Sequence, residues 1–224
     1  MEMIKNFASI LVFALLLSGC SIFGFGSKVI DKSPEDLMRE GLSSFDKGDY
    51  TDALESFQKI RDRYPYSKFA IYAELKLADS HFKRNELDEA IEAYRDFERL
   101  HPKNTAIPYV MYQQGMCNFT RMNTIDRDQT YTELALKDFR RLEKQFPDDT
   151  YSLKAKRNIR KCLTNLADHE LYVGRFYFKS NQYIAALKRF EYLISHYPDL
   201  GQYANAFSYM NICKKELSEK ALSD

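Results

Sequence analysis

The stretch Tyr50–Pro65, YTDALESFQKIRDRYP, decides how this chain is read, because its pattern occurs four times. Ala53, Phe57 and Pro65 recur as Ala90, Tyr94 and Pro102, as Ala135, Phe139 and Pro147, and as Ala186, Phe190 and Pro198. Every set keeps four residues from the small residue to the aromatic and eight more to the proline. A separation of i to i+4 puts the small and aromatic side chains on one helix face. Proline then ends the helix, because it clashes with the preceding turn and drives the residue before it out of the α region. A second helix precedes each copy, marked by Gly41 and Phe45, Ala78 and Phe82, Gly115 and Phe119, and Gly174 and Phe178. A helix pair with small–aromatic anchors and a terminal proline, at a period near ~34 residues, is the signature of a tetratricopeptide solenoid. The expected fold is all-α, about nine helices stacked as hairpins over residues 34–224, with one continuous core shared between repeats.

The repeats fall at about 34–66, 67–103, 104–149 and 150–199, with a half repeat at 200–218. Ser33 is placed to cap the first helix, Pro34 suits its first turn, and Glu35 and Asp36 favour the positive end of its dipole. Phe119 and Ala135 stand 16 residues apart, against eight in the first two repeats. The extra residues fall within Thr120–Thr132, a polar segment that carries Asp126, Arg127 and Asp128. An insertion in a repeat maps to a loop on one face, either a binding face or a neutral length change. From Pro147 to Gly174 is 27 residues, against 13 at the equivalent places before it. That stretch lacks proline and glycine and predicts one long helix over about Thr150–Lys179. On it Lys154, Arg157 and Lys161 form a basic stripe, either a solvated face or a contact for an acidic partner. A last helix, about Gln202–Leu217, has no second helix after it and is expected to cap the core.

The formal net charge of +1 over 224 residues gives no reason to expect nucleic acid. Residues 1–19 read as a signal peptide, with Lys5 before the apolar run Ile10–Leu17, too short to span a bilayer. Leu17-Ser18-Gly19-Cys20 resembles the bacterial lipobox, which implies diacylglycerol on Cys20 and an acyl chain (palmitate or similar) on its amine. Several buried acyl chains at ~0.8 kcal/mol per CH₂ anchor a protein durably. Residues 20–33 then form the lipidated end and a flexible tether.

No catalytic constellation stands out. The four histidines lie in four separate elements, and no HExxH or CxxC spacing occurs, so neither a metal site nor a cofactor is expected. Cys117, Cys162 and Cys213 sit among apolar helical neighbours and read as buried thiols. Tyr66, Phe69 and Tyr72 surround the start of the second repeat and are candidates to line a groove for an extended apolar peptide, beside the alternative of core packing.

Arg63-Tyr64-Pro65-Tyr66, Tyr109-Val110-Met111-Tyr112 with Gly115, and Asp126-Arg127-Asp128 leading into Ala135, Asp138 and Phe139 carry a narrower likeness. With the lipobox, they resemble the BamD/ComL family of outer-membrane assembly lipoproteins. The resemblance implies a non-enzymatic scaffold at the periplasmic face of the outer membrane. Its partners would be a BamA-like barrel protein, held through a POTRA domain, and unfolded outer-membrane proteins awaiting insertion. Arg189, in AALKRFEYL, falls where that family places a basic residue toward BamA. A tetratricopeptide lipoprotein serving cell-wall or pilus and competence machinery remains the second reading.

Overall fold

The computed structural model describes residues 31–198 and 200–223. The expected signal peptide, Cys20 and the tether up to residue 30 lie outside the described residues. Within them are nine α-helices and no strand: α1 Pro34–Lys47, α2 Tyr50–Arg63, α3 Ala70–Lys83, α4 Leu87–Leu100, α5 Ile107–Thr120, α6 Thr130–Gln145, α7 Thr150–Lys179, α8 Tyr183–His196 and α9 Tyr203–Ser223. Each helix packs on the next in sequence, which makes a solenoid of antiparallel hairpins.

Local chemistry sets the ends of these helices. The Ser33 hydroxyl accepts the Asp36 N–H at 3.1 Å, capping α1, and the Asp149 carboxylate accepts the Tyr151 N–H at 2.7 Å, capping α7. Tyr64, His101, Phe146 and Tyr197, each just before a proline, leave the helical region at φ −126 to −136°. This is the restriction proline imposes on its predecessor. Gly48, Asn85 and Asn181 occupy the same left-handed turn position, at φ 87, 61 and 59°. There each donates its N–H to the carbonyl of the aromatic three residues back, Phe45, Phe82 or Phe178. The next N–H reaches five residues back, which closes a Schellman-type turn.

The small residue of each first helix faces the aromatic of the second. A Cβ on Gly41 would meet the Phe57 ring at 2.6 Å, and one on Gly115 the Phe139 ring at 2.5 Å; Gly174 faces Phe190 as closely. Phe57, Phe139 and Phe190 are wholly buried, each contributing about 1.5–3 kcal/mol by leaving water.

The core is not continuous as the repeat pattern implies. Buried apolar side chains form three groups: one of α1, α2 and α3; one from α3 to the first half of α7; and one of α8 and α9 with the second half of α7. The groups part at α3 and α7, and each of these helices carries a buried carboxylate, Asp79 and Glu170. An ionised carboxylate cannot be enclosed by hydrocarbon alone. Polar partners surround both. Asp79 accepts hydrogen bonds from the Tyr94 and Tyr109 hydroxyls at 2.7 and 2.6 Å and pairs with Lys76 at 3.0 Å. Cys117, Cys162 and Cys213 are free and buried. Burial pushes the Cys117 thiol up to about 12 and Cys162 up to about 11, which makes both poor nucleophiles.

Candidate functional site

The inserted segment forms a nine-residue connection, 121–129, between α5 and α6, and side chains hold it in place. Gln129 is its buried pivot. The Gln129 amide donates to the carbonyls of Thr124 and Arg127 at 2.9 and 3.0 Å. Its oxygen accepts from Asn165 of α7 at 2.6 Å and from the Thr132 hydroxyl at 2.9 Å. His169, one turn further along α7, lies 2.6 Å from the Ile125 carbonyl. On the other side, Arg121 pairs with Asp88 of α4 at 2.6 Å and lies over the Tyr131 ring. The loop is thus fastened to α4 and α7, and its charged run Asp126-Arg127-Asp128 faces outward.

Those residues meet the far end of the solenoid. Asp126, Arg127 and Asp128 line a cleft of about 490 Å³ with Glu133 of α6, His169 and Glu170 of α7, and Arg189, Tyr192 and Tyr197 of the α8 end. Arg189 lies 3.2 Å from the Glu170 carboxylate. Its side chain stays 44% exposed while that of Glu170 is 11% exposed. One carboxylate therefore holds the guanidinium from within and leaves its outer edge free to donate. Hydrogen bonds from Thr124 lower the Asp126 carboxyl, and those from the Thr130 hydroxyl and N–H lower Asp128, so both are anionic at neutral pH. The cleft thus offers donors and acceptors of both signs beside an aromatic pair, Tyr192 stacked on His196 at 3.9 Å. Among the described residues there is no cluster of three metal-ligating side chains.

Sequence reasoning named Asp126, Arg127, Asp128 and Arg189 separately, and the fold brings all four to one cleft. It did not name Glu170 or Tyr192, and it weighed His169 only as a metal ligand. Glu170 had a signal: a carboxylate in the buried phase of α7, between Leu166, Ala167 and Gly174. The other candidates stand apart, at the start of the second repeat. Tyr66 is fully exposed and Tyr72 is 45% exposed, with Lys76 over its ring. Phe69 instead packs against the first core group.

The YfiO family, described as an outer membrane lipoprotein, matches residues 30–224. The chain belongs to that family. An outer membrane protein assembly factor BamD of Rickettsia prowazekii is 30% identical over 197 residues, covering 88% of this chain and 78% of its own. One of Neisseria gonorrhoeae is 28% identical over 223 residues, covering 93% and 84%. The YfiO-family chain is also similar in structure to a tetratricopeptide repeat protein from Parabacteroides merdae. That likeness has a TM-score of 0.43 and 18% identity, over 85% of this chain and 79% of the other.

Proposed function

We propose that this YfiO-family chain is a lipid-anchored scaffold of outer-membrane β-barrel assembly. In this reading Cys20 holds it to the outer membrane from the periplasmic side. The cleft around Arg189 receives a POTRA domain of a BamA-like barrel protein. Exposed aromatics such as Tyr66 and Tyr72 hold segments of unfolded outer-membrane proteins. The role is binding and presentation rather than bond chemistry. The observation that carries the reading is the convergence of Asp126, Arg127 and Asp128 with Arg189 in one cleft, its guanidinium backed by a nearly buried carboxylate. A cationic hot spot fixed from behind and open in front suits a partner's acidic side chain.

Replacing Arg189 by Glu sets it against Glu170 and against an acidic partner at once. The expected result is at least a tenfold loss in recovery of the BamA-like protein with the tagged chain, with far-ultraviolet circular dichroism unchanged; undiminished recovery removes Arg189 from the interface. Cys20→Ser is expected to release the chain from sedimenting membranes into the soluble periplasmic fraction.

A further inference from the structure

The first helices of the repeats share one register. Ala73, Leu77 and Ser80 of α3 are buried, as are Val110, Gln114 and Cys117 of α5, and Ala206, Met210 and Cys213 of α9. Each set falls eight, twelve and fifteen residues after a proline. In α7 the same count from Pro147 gives Ala155, Ile159 and Cys162, again all buried. The first half of α7 is therefore an ordinary first helix of a repeat. Its second helix is displaced. Thirteen residues after the proline stand Ala78 and Gly115, and a Cβ on Gly115 would clash with Phe139 of the following helix. The residue at that place in α7 is Arg160, while Gly174, 14 residues further, faces Phe190 of α8. The 14 extra residues of α7 have slid α8 along it by about 21 Å. The end of α8 reaches α7 at the cleft lined by Leu166 and Tyr197.

The face left bare is cationic. Lys154, Lys156, Arg157, Arg160 and Lys161 are all exposed, and Leu153 among them is 55% exposed. No Asp or Glu occurs between Asp149 and Asp168. Lys156 has a distant partner in Glu143 at 3.9 Å, and Lys154 lies over the Tyr151 ring. Arg157, Arg160 and Lys161 take part in no ion pair within the described residues. The side chains spread over the outward arc of the helix. Self-repulsion on one helix face is unfavourable unless an anion answers it. Where this face recurs in the second repeat, the antiparallel α4 covers its centre: Leu75, Ala78 and Asp79, at the places of Arg157, Arg160 and Lys161, are buried.

We propose that the bare face of α7 docks an acidic helix of a partner protein, which lies where α8 would lie without the 14 extra residues of α7. Leu153 supplies the apolar contact, and the five cations meet carboxylates spaced at i, i+4 on the incoming helix.

The test uses the full-length chain in detergent and a fluorescein-labelled alanine-based helix of about four turns bearing glutamates at i, i+4. Fluorescence anisotropy should show saturable binding that added salt weakens. The triple variant Arg157→Glu/Arg160→Glu/Lys161→Glu should lose at least tenfold in affinity and should bind the lysine-for-glutamate version of the peptide instead. Arg189→Glu should leave the peptide affinity unchanged, which separates this face from the cleft. Should the triple variant lose its helical circular dichroism, Arg157→Glu alone is expected to weaken binding about threefold. Unchanged affinity in the folded variant overturns the proposal. Equal binding of a proline-interrupted peptide of the same charge overturns it, because the face is then an unselective anion sink. So does tighter binding to phosphatidylglycerol vesicles than to the peptide, because the face then belongs to a lipid surface.

Discussion

Asp79 shows how a single buried charge is made tolerable. It is 5% exposed and takes two tyrosine hydroxyls and a lysine. Asp79→Ala strips all three partners at once and is expected to destabilise the fold by about 3 kcal/mol, read as a lower urea midpoint. Asp79→Asn keeps an acceptor oxygen and should cost less. The same cluster gives the molecule an alkaline limit. Burial first, and the Asp79 charge second, hold the Tyr94 and Tyr109 phenols above their ordinary range. An unfolded tyrosine ionises near ~10. The folded state keeps these protons longer, so their contribution is whole below that pH and is lost as pH climbs through the folded values. Tyr109→Phe should flatten this alkaline slope in urea titrations. On the acid side, burial works against charge on Glu98, but hydrogen bonds from Arg141 and Gln114 outweigh it and hold its carboxyl below the usual range. That contribution is present above about 4.3 and fades as pH falls through the lowered folded value.

At the scale of the element, the contact that organises three of the four hairpins is glycine against phenyl ring, with Ala78 and Tyr94 at the same places in the other. Gly115→Ala puts a methyl 2.5 Å from a Phe139 carbon, and overpacking of this kind costs about 1–3 kcal/mol. Phe139→Leu beside it should recover part of that loss, so the two changes couple in a double-mutant cycle of urea midpoints. This contact is also why the hairpins were legible in the sequence: the small residue and the aromatic recur at fixed offsets, and proline marks each end. The predicted span of α7, read from a stretch without proline or glycine, agrees with its observed bounds. The last helix was read too short. It runs to Ser223 rather than about Leu217. The apolar pattern fades there, but Glu, Leu, Lys and Ala sustain a helix without it. The division of the core was not read, because Asp79 and Glu170 look like surface carboxylates until their helices are placed. The grouping of the cleft was likewise hidden. Arg189 and Asp126 are 63 residues apart, and only the run of α7 between them determines their distance.

At the scale of the whole molecule, three core groups joined through two shared helices predict graded rather than uniform stability. Phe57 belongs wholly to the first group. Phe57→Ala should remove about 3–5 kcal/mol of local stability. In hydrogen exchange, α1 and α2 should lose protection by orders of magnitude, while α8 and α9 keep theirs. Uniform loss along the chain would mean that the repeats unfold as one body. The long α7 has a further consequence. At 30 residues it measures about 45 Å, and the second and third core groups both hang from it. No loop interrupts it, so those two halves have no hinge between them, and their separation changes only as fast as a helix bends. A partner gripped near Arg189 and another seated toward Lys154 would be kept at a calibrated interval, as objects are by the jaws of a caliper.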